Sequence, residues 1–93
     1  MDHASLSALR SRIRPVELRG SFTLEQASAA VAVNRDVARF HAAVAQAERI
    51  LEIVGELDVR LEHELAARAL DLVRARSRVE HELRLRADRA RPT

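Results

Sequence analysis

The stretch that decides the fold runs from Thr23 to Gly55 and reads TLEQASAAVAVNRDVARFHAAVAQAERILEIVG. Its apolar residues follow one another at alternating spacings of three and four for more than three heptads. We call these residues the heptad seam; they are Ala30, Val33, Val37, Phe40, Val44, Ala47, Leu51 and Val54. Such a pattern predicts one long amphipathic helix with coiled-coil-like packing.

The two ends of this stretch carry helix start and stop signals. Thr23 and Gln26 have the spacing of a capping box, in which each side chain accepts a hydrogen bond from the backbone of the other residue. Gly55 interrupts the heptad seam, and Asp58, a residue type favoured at helix starts, stands at the next seam position. The seam therefore predicts a helix over about 24–54.

A second apolar stripe follows Gly55 and consists of Leu57, Leu61, Leu65, Ala69, Leu72, Val79 and Leu83. Two arrangements fit. In a hairpin, Gly55 ends the first helix, a turn covers about 55–58 and a second helix covers about 59–89. In the alternative, one continuous helix tolerates Gly55 at a cost of about 1 kcal/mol. We favour the hairpin, because it buries both apolar stripes within one chain.

The residues outside 21–90 form minor segments. Residues 1–20 are a lead-in whose Leu6, Leu9 and Ile13 predict a short amphipathic helix before Pro15. Residues 91–93 are expected to fray. The predicted fold class is all-α: a long coiled-coil-like helical hairpin with a short N-terminal helix, which completes a helical bundle by oligomerisation or by binding a partner.

Composition and charge exclude several protein classes. The chain has no Cys, which removes disulfide scaffolds and thiolate zinc sites. All sixteen basic residues are Arg, yet the net charge is only +2, because fourteen acidic residues offset them. No apolar run is long enough for a signal-peptide core or a membrane span. We therefore expect a cytoplasmic protein without a membrane partner.

No constellation of catalytic or metal-binding residues is evident. His41, His63 and His81 have no His, Asp or Glu three residues before them or four residues to either side, so helical metal-ligand pairs are missing. The two glycines stand alone, so there is no phosphate-binding loop. We predict that the chain is not an enzyme and takes no cofactor, metal or small-molecule substrate.

The segment Thr23 to Phe40 resembles the opening of a helix-turn-helix reader of DNA, with an apolar helix, a turn at Val33-Asn34 and a second helix displaying Arg35 and Arg39. The resemblance covers about eighteen residues. It has Ala32 where that motif usually has Gly, and no third helix is evident. It implies an alternative function: a small DNA-binding regulator that dimerises through its C-terminal helix, with Arg35 and Arg39 contacting nucleic acid.

The favoured prediction is a non-enzymatic protein–protein interaction module, such as an adaptor, an assembly factor or a chaperone-like subunit. Its partner is itself, as a homo-oligomer, or another helical protein. A further alternative is a helical component of a secretion or phage assembly. Phe40, the one aromatic residue of the predicted long helices, is expected to anchor the contact. The predicted interface residues are Val33, Val37, Phe40, Val44, Leu51 and Val54 of the seam, with Leu61, Leu65 and Leu72 opposite.

The second helix also contains a local repeat. Arg60-Leu61-Glu62-His63-Glu64-Leu65 recurs as Arg78-Val79-Glu80-His81-Glu82-Leu83, eighteen residues later. Eighteen residues make five helical turns, so both hexapeptides lie on the same side of a helix. Either the repeat reflects similar solvated turns in a chain rich in Glu, Arg and Leu, or it is a repeated docking surface.

Overall fold

The computed structural model describes residues 1–90, with side chains through residue 85. In this part the chain forms three helices and no strand: α1 (His3–Arg12), α2 (Leu24–Val54) and α3 (Val59–Ala90). Helices α2 and α3 pack against each other as the predicted hairpin, and α1 packs on α2. The molecule is a rod of 58 × 20 × 18 Å. The predicted fraying of residues 91–93 lies outside the described residues.

The turn at Gly55 settles the choice between a hairpin and a continuous helix. Gly55 has a left-handed backbone conformation with φ +87°, and its N–H donates to the Leu51 carbonyl at 2.8 Å. This is the usual way in which a glycine ends a helix. Asp58 then starts α3, since its Oδ1 accepts a hydrogen bond from the Arg60 N–H at 2.7 Å. The hairpin prediction is confirmed.

The helix starts are stabilised locally, as their sequences indicate. At the start of α2, the Thr23 hydroxyl accepts from the Gln26 N–H at 3.0 Å, and the Gln26 side chain accepts from the Thr23 N–H at 2.9 Å. At the start of α1, the Asp2 carboxylate accepts from the Ser5 N–H at 2.8 Å. That hydrogen bond lowers the pKa of Asp2, because it favours the ionised carboxylate.

The core lies between α2 and α3 and is purely apolar in the described part of the chain. From α2 it takes the heptad seam through Leu51, and α3 with its preceding turn contributes Leu57, Leu65, Ala69 and Leu72. The N-terminal residues Leu6, Ile13 and Val16 complete it. Leu6 and Ile13 belong to the predicted amphipathic pattern, whereas Val16 lies outside the helices, after Pro15.

Candidate interaction surface

Residues 1–19, which we call the N-terminal segment, lie along one side of the hairpin. The amino group of Met1 forms an ion pair with Glu62, close to the turn. Further along, residues 11–14 face α3 across a cavity lined by residues 72–80, and residues 14–19 face residues 76–84. The N-terminal segment therefore runs parallel to α3, from the turn towards the opposite end of the rod. We call these two ends the tip and the distal end.

Three polar side chains of α2 hold this segment. The amide of Asn34 accepts from the Val16 N–H at 2.6 Å and donates to the Val16 carbonyl at 3.0 Å. His41 donates from Nε2 to the Ile13 carbonyl at 2.6 Å; because a carbonyl oxygen can only accept, the hydrogen lies on Nε2. Glu48 forms an ion pair with Arg10 at 3.0 Å.

Sequence reasoning did not find this polar row, although a signal was present. Asn34, His41 and Glu48 are spaced by seven residues, and each directly follows a residue of the heptad seam. Polar residues in that position face a neighbouring element that flanks the seam. Asn34 and His41 bind backbone atoms of Val16 and Ile13. Since every residue has such atoms, the sequence does not reveal these partners.

The structure places most of the predicted interface residues inside the chain's own core. Val33, Val37, Phe40, Val44, Leu51, Leu65 and Leu72 are all buried. Leu61 is half-buried, and Val54 is 64% exposed because α2 ends there. In the folded hairpin α3 and the N-terminal segment cover the buried seven, and their contact with another chain stays a prediction. Phe40, the expected anchor, is 2% exposed and packs in this core.

The other side of the hairpin, which we call the uncovered face, is free of the N-terminal segment. Two shallow cavities lie on it between α2 and α3, with volumes of ≈ 350 and ≈ 330 Å³. One is lined by Asp36, Arg39, Phe40, Arg68, Asp71 and Leu72. The other is lined by Glu25, Gln26, Ala29, Arg78, Val79 and Glu82. No residue of 1–19 contributes to either lining.

Helical spacing extends the uncovered face towards the tip. Ala43, Ile50 and Val54 follow Asp36 by seven, fourteen and eighteen residues, so they lie on the same side of α2. Ala43 and Ile50 are half-buried and pack against the core. The tip half of this face therefore exposes larger apolar side chains than the distal half, where Ala29 and Ala32 stand at the equivalent positions.

Charge is distributed unevenly along the rod. Around the tip, residues 46–64 carry six acidic residues and two Arg, a formal charge of −4. At the distal end, residues 14–26 and 74–85 together carry six Arg and four acidic residues, a formal charge of +2. The rod is acidic at one end and basic at the other.

Helix α2 runs without a break through Asn34, so the turn expected from the helix-turn-helix resemblance does not form. Arg35 and Arg39 lie within one straight helix, where Arg39 is 3.8 Å from Asp36. The two-helix geometry implied by the resemblance is therefore absent from this segment, and contact of Arg35 and Arg39 with nucleic acid stays a prediction.

Among the described residues, no three His, Asp or Glu side chains come together in a way that could hold a metal ion. None of the described helices is long and apolar enough to cross a membrane. No protein-family model, curated protein or solved structure matches this chain.

Proposed function

We propose that this chain is a helical protein–protein interaction module that binds its partner through the uncovered face. Such a module serves as an adaptor, an assembly factor, a chaperone-like subunit or a component of a secretion or phage assembly. Its contribution is a rigid helical surface rather than a chemical step.

One observation carries the proposal: the N-terminal segment covers one side of the hairpin and leaves the other side uncovered. On one side, the N-terminal segment buries Leu6, Ile13 and Val16 against the core. On the other side, the half-buried Ile50 and the exposed Val54 stay in contact with water. A helix of a partner laid along the uncovered face would bury them, as the fourth element of a helical bundle does.

Photo-crosslinking in the source cells tests this proposal. A photoreactive amino acid at Ala43, which lies on the uncovered face, should give a crosslinked product of defined mass. The same amino acid at Ser7, which is exposed on α1, serves as the control. Equal yields at both positions, or no product at Ala43, would contradict the proposal.

Substitutions then connect the crosslink to binding. Ile50→Glu places a charge on the uncovered face and should abolish binding of the purified partner while the helical circular dichroism signal is retained. Val31→Glu is the matched control, because Val31 is 53% exposed on the same helix but lies away from this face. If both variants bind as well as the wild type, the uncovered face is not the binding surface.

A further inference from the structure

We propose that the occupant of the uncovered face is a second copy of this chain, packed antiparallel across a two-fold axis that passes near Asp71. The inference rests on the proposed function, since it names the partner of that same face. It also assigns a role to the repeated hexapeptide, which pairs with its counterpart in the second copy.

The charged residues of the repeat lie on the uncovered face. Arg78 and Glu82 line one of its cavities, and Arg60 and Glu64 lie five helical turns before them on the same side of α3. All four side chains are exposed. In the part of the chain whose side chains are described, none of them takes part in an ion pair, whereas Arg76 and Glu80 of the same helix pair at 2.7 Å.

When a second α3 is laid antiparallel beside the first, each of these four charges meets one of the opposite sign. Arg60 and Glu82 each lie eleven residues from Asp71, and Glu64 and Arg78 each lie seven residues from it. A two-fold axis at Asp71 therefore places Arg60 beside Glu82 of the second copy, and Glu64 beside Arg78. Because the two-fold axis repeats every contact, each of these two ion pairs occurs twice in the dimer. A parallel dimer in register would instead place each of these four charges beside its own copy, where like charges repel. In the antiparallel dimer only residues at the axis meet their own copy; Asp71 is one of them, and Arg39 and Arg68 line the same cavity and lie close to its carboxylate.

The α2 side of the face fits the same axis. Arg39 and Asp71 line one cavity, so they lie at the same level of the rod. Ile50 and Ala29 lie eleven and ten residues from Arg39 in opposite directions along α2, so reversal about this level brings Ile50 of one copy beside Ala29 of the other, which leaves room for it. Larger side chains then meet smaller ones on both sides of the axis, as close packing of helices requires.

The charge of the whole rod also favours the antiparallel arrangement, because the acidic tip of each copy comes to lie beside the basic distal end of the other.

The area of the uncovered face is sufficient for a stable dimer. Helix α2 has 31 residues and is about 46 Å long at 1.5 Å per residue, and the rod is 20 Å wide. A face of about 900 Å² per copy results, close to the roughly 800 Å² that each partner buries in a stable interface. End-to-end contact would offer only the 20 × 18 Å cross-section.

Charge reversal tests the register directly. Glu64→Arg and Arg78→Glu each create two repulsive pairs in a homodimer, so each variant alone should dimerise about tenfold more weakly or worse. In an equimolar mixture of the two variants, the heterodimer regains attraction at both positions and should form with near wild-type affinity. Glu64 and Arg78 are fourteen residues apart in one helix, about 21 Å, so pairing within one chain does not mimic this rescue.

Sedimentation equilibrium and native mass spectrometry of the full chain provide the measurement. The wild type should have twice the 10.4 kDa mass of one chain. Arg49→Glu, which makes the same charge change as Arg78→Glu away from the uncovered face, should dimerise like the wild type. A wild type that is monomeric up to ~100 μM overturns the inference. Single variants with wild-type affinity, or a mixture that associates no better than its components, also overturn it.

These outcomes are distinguishable from failure of the proposed function. A monomeric chain whose Ala43 crosslinks to a different protein leaves the proposed function standing and refutes the second copy as the partner. A monomeric chain without any crosslink at Ala43 refutes both.

Discussion

Replacement of Gly55 by Ala should destabilise the folded chain by about 1–2 kcal/mol, because an L-residue pays roughly this amount for a left-handed backbone conformation. The φ of Gly55 is +87°, and a Cβ built at this position has nothing within 4 Å. The cost therefore comes from crowding of Cβ against the local backbone, with no contribution from clashes with other parts of the structure. The hairpin should persist, since opening it would expose core residues such as Phe40 and Leu65, each of which is worth roughly 1.5–3 kcal/mol when buried.

Urea unfolding followed by circular dichroism measures this free energy, at a protein concentration low enough to keep the chain monomeric. Two further variants separate the backbone effect from others. Gly55→Asn should lose less than Gly55→Ala, because Asn tolerates the left-handed region. Gly20→Ala should lose a similar amount to Gly55→Ala, since Gly20 has φ +75° and equally free surroundings. A stability of Gly55→Ala within about 0.3 kcal/mol of the wild type, or an equal loss in Gly55→Asn, would refute this reasoning.

Three other predictions follow from the contacts of the core and of the N-terminal segment. Asn34→Ala should cost about 2 kcal/mol, because it removes two hydrogen bonds to Val16, and hydrogen exchange of the Val16 amide should accelerate; unchanged exchange would mean that other contacts hold the segment. Phe40→Ala should cost about 3–5 kcal/mol in urea unfolding, and Phe40→Glu should abolish folding altogether; a folded Phe40→Glu variant would show that this side chain is accessible. The lowered pKa of Asp2 means that its cap stabilises α1 above the ordinary Asp pKa and is lost as the pH falls below about 4. NMR of the α1 amides should show this loss in the wild type and no such titration in Asp2→Asn, and identical acid profiles would contradict it.

The features that could be predicted from the sequence are those encoded by neighbouring residues. The capping box of Thr23 and Gln26, the end of α2 at Gly55 and the seam that α2 buries all depend on side chains within a few turns of one another. Helical periodicity is a strong pattern over 31 residues, and turn signals are local.

What covers the seam could be predicted only in part: the hairpin, in which α3 covers it, was expected from the sequence, whereas the docking of the N-terminal segment was not. A heptad seam shows that something covers it, but not whether the cover comes from the same chain or from another. Here the N-terminal segment supplies part of the cover through contacts of Asn34 and His41 with backbone atoms, which every residue possesses. The candidate site therefore shifts from the seam itself to the stripe on its other flank, where Ile50 and Val54 lie.

The position of the N-terminal segment has a consequence for the order of folding during synthesis. Residues 1–19 leave the ribosome before the surfaces on which they dock, which extend from Asn34 to Arg84. Helix α1 has only ten residues, fewer than an isolated helix needs for stability in water. The N-terminal segment is therefore translated before the hairpin but docks after it, once α2 and α3 have packed together and formed the surface that the segment covers.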